Sequence, residues 1–166
     1  MTMTPESDLS ARIEQFIDAY HVMSLATTSG EGPHAANLFY IRDRLSLVWV
    51  SDPTTQHSRD LAGNARVAAT IAPDVSDYPA VRGVQLTGEA RLVTEFTRRT
   101  RLLALLICRY NFLARLDAGP EKMKTAFQKA GVYRLTPSRI VLIDNSRGFG
   151  HKETLSLTED PAEDRQ

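Results

Sequence analysis

The sequence predicts a mainly β domain with added helices, organised around a small antiparallel barrel. Seven runs are rich in β-branched and aromatic residues, and the first three follow one another too closely for a helical crossover between them. Many antiparallel strands in one small domain favour a barrel, because closure removes exposed sheet edges. The predicted strands are 22–28, 34–41, 45–51, 66–72, 84–93, 132–135 and 140–143.

Helices are predicted before, between and after these strands. Ser7 or Asp8 can cap an opening amphipathic helix, in which Leu9 and Ile13 begin an apolar stripe of helical spacing. Gly88 lies inside a predicted strand, which indicates a bulge or a close backbone approach. The other predicted helices are 54–63, 95–116 and 121–129.

Length and composition indicate one soluble domain. The chain has 166 residues, of which 42% are apolar and 24% charged, and its formal net charge is zero. A balanced charge argues against nucleic-acid or anionic-membrane partners, and the apolar run 102–107 is too short to span a bilayer. Cys108 is the sole cysteine, which excludes an internal disulfide. We expect a cytoplasmic domain over 5–158, with disordered tails at 1–4 and 159–166.

The junction after the third strand is a candidate anion site. Asp52-Pro53 ends the strand, and the hydroxyls and cations of 54–59 then open a short helix. Free N–H groups and the helix dipole favour a phosphate at such a helix start. The alternative is that Asp52 or Thr54 only caps the helix, and the stretch has no glycine-rich cradle.

The segment SRGFGHKE near the C-terminus is a second candidate site. Its two glycines, Gly148 and Gly150, would let the backbone approach a ligand closely. The alternative is a surface segment that docks on the barrel through its aromatic residue. The histidines of the chain are too scattered to predict a metal site. The candidate side chains for a substrate or second-subunit contact are Arg147, Phe149, His151 and Lys152.

Three stretches carry a family resemblance: VMSLATTSGEGPHAANLFY, LVWVSDPTTQHSRDLAGNARVAA and VRGVQLTGEARLV. Together they resemble the FMN-binding split barrel of the pyridoxamine 5′-phosphate oxidase-like superfamily. The later IDNSRGFGHKETL is similar to the YhbP-like bacterial branch. The resemblance implies a six-stranded antiparallel split barrel, and a homodimer that binds FMN at its interface.

The resemblance also assigns residues to the cofactor. The family's flavin-ring strand falls on Ala36, Asn37 and Leu38, continuing to Phe39, and the next strand end falls on Val50 and Ser51. Its phosphate-binding residues fall on Thr55, Gln56 and His57. A strand contributed across the dimer makes Gln85 a further contact.

The phosphate positions depart from the family pattern. Oxidases of this superfamily place an arginine and a lysine where this chain has Gln56 and His57. Histidine is only partly charged at neutral pH, so backbone N–H groups and the hydroxyls of Thr54 and Thr55 must contribute more. Arg59, one helical turn beyond Thr55, is the nearby residue able to restore the charge.

The function implied is a flavin-dependent oxidoreductase acting on an unknown small molecule or electron donor. The catalytic residues are not predicted: no dyad or triad is evident, and FMN would itself supply the redox chemistry. The chain lacks the substrate-binding arginine and histidine signature of true pyridoxamine phosphate oxidases. Two alternatives stay open: a flavin carrier or sensor without turnover, and a haem-binding split barrel with His151 as a ligand.

Overall fold

One antiparallel sheet of eight strands forms the body of the protein in a computed structural model. The residues described are 5–117, 121, 125 and 128–157. The predicted tails lie outside them, as does most of the predicted helix 121–129. The helices are α1 (Pro5–Asp18), α2 (Gln56–Gly63), α3 (Phe96–Arg109) and α4 (Asn111–Asp117). The strands are β1 (Val22–Ser29), β2 (Gly32–Phe39), β3 (Ile41–Asp43), β4 (Ser46–Ser51), β5 (Arg66–Ile71), β6 (Arg82–Leu92), β7 (Gly131–Asp144) and β8 (Lys152–Ser156).

The sheet is curled, which confirms the predicted split-barrel fold. Its strand order is β2-β1-β5-β6-β7-β4-β3, with β8 paired to β7. The first and last strands of this order are joined in the chain by Tyr40 alone, so both edges of the sheet must meet there. The sheet has eight strands, whereas the residue pattern predicts seven and the resemblance implies six. Tyr40 divides one predicted strand into β2 and β3, 132–135 and 140–143 form the single strand β7, and β8 was not predicted.

Alternation along the strands separates a buried inner face from an exposed outer face. On the inner face, Met23 and Leu25 of β1 pack with residues of β5 and β6, and α1 covers this core with Ile13 and Ile17. The opposite face, here called the outer sheet face, carries one row of exposed polar side chains aligned by strand register. That row is Asn37, Ser24, Thr70 and Gln85.

The predicted helix 95–116 is divided at Tyr110. This residue lies between α3 and α4 with non-helical dihedrals of −123° and 86°. Its ring is buried, and its hydroxyl donates to the backbone carbonyls of Tyr40 and His21. The side chain of Tyr110 therefore fastens the helices to the bend between β2 and β3, which explains why the helical pattern is interrupted here.

Candidate functional site

The candidate phosphate site lies where β4 passes into α2. An Asp52 carboxylate oxygen accepts hydrogen bonds from the backbone N–H and the hydroxyl of Thr54, both at 2.7 Å. Thr55 then occupies the N-cap position of α2, and its side chain makes no capping bond there to any described residue. Asp52 and Thr54 thus shape the turn before the helix, and the N-cap hydroxyl is engaged elsewhere.

That hydroxyl belongs to a hydroxyl cluster, defined as Ser51, Thr55, His57 and Ser58. Nε2 of His57 lies 2.6 Å from Oγ of Ser51 and 3.1 Å from Oγ1 of Thr55. Thr55 also contacts Ser58, oxygen to oxygen, at 2.8 Å. His57 is 6% exposed, and both serines are buried. The imidazole is therefore turned inward beneath the helix start, where it holds the end of β4 against α2.

The surroundings of His57 disfavour its charged form. Burial and the neighbouring His34 lower the pKa of His57 below 6.5, while Asp60 acts in the opposite direction. The two imidazole rings are nearly parallel, with their centroids 6.4 Å apart. Hydrogen bonds from Thr27 and Gln56 in turn lower the pKa of Asp60. Asp60 thus carries a charge that fixes α2 to β1.

Arg59 supplies a cation at the helix start. Its guanidinium folds back along α2, where one nitrogen donates to the Thr54 carbonyl and another donates to Oε1 of Gln56 at 2.5 Å. The N–H groups of the first helical turn have no acceptor within the helix. An anion at this position would meet these N–H groups and the Arg59 guanidinium, and the hydroxyls of Thr54 and Thr55, which donate to Asp52, would have to turn to reach it. This donor set suits a phosphate ester.

The residues expected to contact the flavin ring divide between the two faces of the sheet. Ala36 and Leu38 are half-buried on the inner side of β2, whereas Asn37 is exposed on the outer sheet face and accepts from Ser24 Oγ at 2.8 Å. Gln85 also lies on the outer sheet face. Val50 is half-buried on β4 and packs against a core cluster that includes Ile41, Val48 and Leu102. A single chain therefore does not bring Asn37 and Gln85 together with the hydroxyl cluster.

The C-terminal candidates gather around Glu153, a residue that the sequence did not single out. The Arg12 guanidinium donates to both carboxylate oxygens at 2.7 Å, and Arg147 donates at 2.8 Å. His151 Nε2 lies 3.3 Å from the same carboxylate. The bonds from Arg12 contribute most to lowering the pKa of Glu153 from 4.5 to about 2. Two of the three basic candidates, Arg147 and His151, thus contact Glu153.

Phe149 stands at the tip of the turn between β7 and β8. It is 91% exposed and stacks on Tyr78 with the ring centroids 5.0 Å apart. Gly148 and Gly150 shape this turn with φ values of 142° and 67°. Lys152 follows as an exposed residue at the start of β8. The turn projects from the sheet, and its aromatic contact with the barrel is limited to Tyr78.

Three further residues of these sites were missed by the sequence interpretation. Ser58 and Asp60 follow His57 in α2, and their hydrogen bonds across to Thr55 and Thr27 become visible only in the tertiary structure. The third is Arg12, a charged residue of α1. Its spacing from Asp8 predicts a local pair, which does form, at 3.0 Å. Its longer-range partner Glu153 has no signal in the sequence.

The described part of the chain holds neither a metal-binding cluster nor a membrane-spanning helix. No group of three or more His, Cys, Asp or Glu side chains is placed to hold a metal ion within the described residues. Across the same residues, no helix is both long and apolar enough to cross a membrane. A shallow pocket does lie between α2 and the β1–β2 turn, but of the predicted site residues it includes Arg59 alone.

Comparison with known proteins places the chain in a family. A UPF0306 protein from Serratia proteamaculans is 29% identical over 143 residues, covering 85% of this chain and 90% of the relative. A Listeria innocua structure, described as a candidate pyridoxamine 5′-phosphate oxidase, shares the fold with 18% identity and a TM-score of 0.63, covering 80% of this chain and 95% of that one.

A haem-binding protein from Mycobacterium smegmatis also shares the fold. Its identity is 24% and its TM-score is 0.67, over 94% of this chain and 60% of that one. At these identities the two structures establish only the shared architecture. The sequence model of the pyridoxamine 5′-phosphate oxidase family, by contrast, matches residues 9–144, most of the chain. The protein is therefore a member of the pyridoxamine 5′-phosphate oxidase family.

Proposed function

We propose that the protein binds FMN and acts as a flavin-dependent oxidoreductase on a small molecule. The observation that carries the proposal is the donor set at the start of α2. Hydroxyls, free N–H groups and the folded-back Arg59 converge at the position that the family resemblance assigns to the FMN phosphate. A helix start with a nearby guanidinium favours such an anion.

The residues fit a phosphate held mainly by neutral donors. Thr54, on the exposed side of the turn, offers a hydroxyl that would turn from Asp52 to the phosphate, and Arg59 offers charge. His57 lies behind them and keeps Ser51 and Thr55 in place. FMN would supply the redox chemistry when bound. The chain would bind and orient the cofactor, and its catalytic side chains are not assigned.

We propose further that the working form is a homodimer with the cofactor at its interface. Asn37 and Gln85 are exposed on the outer sheet face, away from the hydroxyl cluster of their own chain. A second copy packed on that face would bring them to a cofactor held by the first. Val22 and Phe39, exposed near the same face, would add apolar contact area. A cytoplasmic location is consistent with this assignment.

The proposal is tested by removing donors from the hydroxyl cluster. Replacing Thr55 and His57 together by alanine should weaken FMN binding by about 1–3 kcal/mol, the usual value of hydrogen bonds to a charged group. Quenching of flavin fluorescence on titration measures the affinity. Thr100→Ala is the matched control, because that hydroxyl bonds only within α3 at an exposed position. If the double variant binds FMN as tightly as Thr100→Ala does, the phosphate does not bind at the start of α2.

Turnover separates the oxidoreductase from a carrier or sensor. An oxidoreductase should allow its bound flavin to be reduced by NADH, NADPH or a reduced partner, and to be reoxidised by an acceptor. A carrier would hold FMN without either reaction. Stopped-flow absorbance of the flavin band under anaerobic conditions distinguishes the two. Failure with every donor, in a protein that retains FMN, would favour the carrier.

Haem binding is the second candidate function, because a haem-binding protein shares the fold. His151 is the candidate ligand, with a side chain 33% exposed and its Nε2 3.3 Å from the Glu153 carboxylate. A haem titration should then give a Soret band that is lost in His151→Ala and retained in His21→Ala, an exposed histidine elsewhere. A band unchanged by His151→Ala would exclude that residue as the axial ligand.

A further inference from the structure

His57 lies where its protonation decides which hydroxyls are free to donate. A neutral imidazole with Nε2 unprotonated accepts the hydroxyl proton of Ser51, whose oxygen is 2.6 Å away. Ser51 has one proton, so in this state it has none for a ligand. Thr55 lies against the same nitrogen at 3.1 Å and also donates to the Asp52 carbonyl. The neutral cluster is thus satisfied internally.

Protonation reverses the bond between His57 and Ser51. Both nitrogens of an imidazolium are donors, so Nε2–H then donates to Ser51 Oγ, or to Thr55 Oγ1. The proton of Ser51 is released from the imidazole and can turn toward an anion at the helix start. One proton taken up by the protein therefore adds both a positive charge and a free hydroxyl donor next to the candidate phosphate position.

We propose that His57 is a positioning residue that couples FMN binding to proton uptake by releasing the Ser51 hydroxyl to turn toward the phosphate. The inference rests on the proposed function, because it concerns the same flavin site. Oxidases of the superfamily have a permanent cation at the phosphate position. In this chain the inward-facing His57 takes its place, and it becomes a cation when the anion binds.

The charges around His57 set the direction of the coupling. Among the described residues, His34 on β2 disfavours the imidazolium and Asp60 on α2 favours it. Asp52 and Arg59 are engaged by Thr54 at the outer side of the turn. The effects of burial and His34 on the pKa of His57 outweigh that of Asp60, so the net shift is downward. Without a ligand the imidazole is therefore neutral at neutral pH. A phosphate dianion stabilises the charged form, and FMN affinity therefore rises as the pH falls.

The test compares FMN with riboflavin, which lacks the phosphate, in titrations at about pH 6, 7 and 8. One linked proton changes the dissociation constant by up to about tenfold per pH unit. FMN should bind wild-type protein several-fold more tightly at about pH 6 than at about pH 8, and riboflavin should show no such gain. His57→Gln keeps a polar side chain without titration and should abolish the gain, whereas His21→Gln should preserve it.

A second measurement uses wild-type protein alone and is independent of the folding of any variant. Calorimetry of FMN binding in two buffers of different ionisation enthalpy should show uptake of a fraction of a proton, up to about one, near pH 7. FMN binding without proton uptake, or with the same pH profile in His57→Gln, would overturn this inference and leave the proposed function intact. Failure to bind either flavin at every pH would overturn both.

Discussion

Replacing Glu153 by glutamine should destabilise the protein measurably, because cations from two parts of the chain converge on this carboxylate. Arg12 bonds to both of its oxygens from α1, and Arg147 bonds to it from the β7–β8 turn. The pKa of Glu153 falls from 4.5 to about 2, which corresponds to about 3 kcal/mol if taken at full value. The side chains of Arg12 and Glu153 are 30% and 26% exposed, so solvent screening reduces the expected loss to about 1–2 kcal/mol.

The assay is urea unfolding of both proteins across a pH series. A depressed carboxyl pKa stabilises the folded state fully above pH 4.5, and this contribution disappears as the pH falls toward 2. The difference in the free energy of unfolding between wild type and Glu153→Gln should therefore become smaller as the pH falls from 4.5 toward 2. Glu89→Gln is the control, because Glu89 pairs with Arg91 alone among the described residues and both side chains are largely exposed. The reasoning is refuted if Glu153→Gln loses no more stability than Glu89→Gln.

Three other substitutions test the packing of the fold by urea or thermal unfolding. Gly88→Ala should cost about 2 kcal/mol or more, because its Cβ would lie 2.1 Å from the Thr136 carbonyl oxygen. Gly63→Ala, with open space around it, should change stability by less than about 1 kcal/mol, and a similar loss in both would contradict the bulge geometry. Ile13→Ala should cost about 2–5 kcal/mol, since Ile13 is fully buried where α1 covers the core; a loss below about 1 kcal/mol would mean that α1 is not firmly packed. Tyr110→Phe should lose about 1–3 kcal/mol by removing a buried hydroxyl from two carbonyls, and an unchanged midpoint would mean that those bonds contribute nothing net.

The helices and strands whose positions follow from the local spacing of apolar residues, or from glycine and proline, could be predicted from the sequence. Alternation along β1 and the apolar stripe of α1 predicted both, and Gly88 predicted an irregularity that the structure shows as a register shift between Thr87 and Gly88. The start of α2 was placed within two residues, because Asp52-Pro53 ends one strand and a polar run follows. In these cases residue type alone restricts the backbone.

The elements that depend on distant contacts were not predictable. Nothing near Tyr40 or Tyr110 signals a break, and the hydrogen bond that joins the two positions links residues 70 apart in the chain. The inward turn of His57 depends on Ser51 and on burial beneath α2. Glu153 becomes important only when the β7–β8 hairpin brings it beside Arg12. Side-chain orientation in a site is set by such tertiary partners, which local sequence does not record.

The resemblance contributed what the pattern could not. Strand alternation indicates a barrel but not a cofactor, and the family membership rests on the match over residues 9–144. The residues carried over from that resemblance fall on both faces of the sheet. Their assignment to one flavin therefore depends on the proposed dimer.

The most direct test of the central proposal is an absorbance spectrum of the purified protein, recorded before and after adding FMN and gel filtration. We expect the near-ultraviolet and blue bands of flavin to elute with a peak of dimer size. A colourless protein from which all added FMN separates into the small-molecule fraction would contradict the proposal that this family member is a flavoprotein.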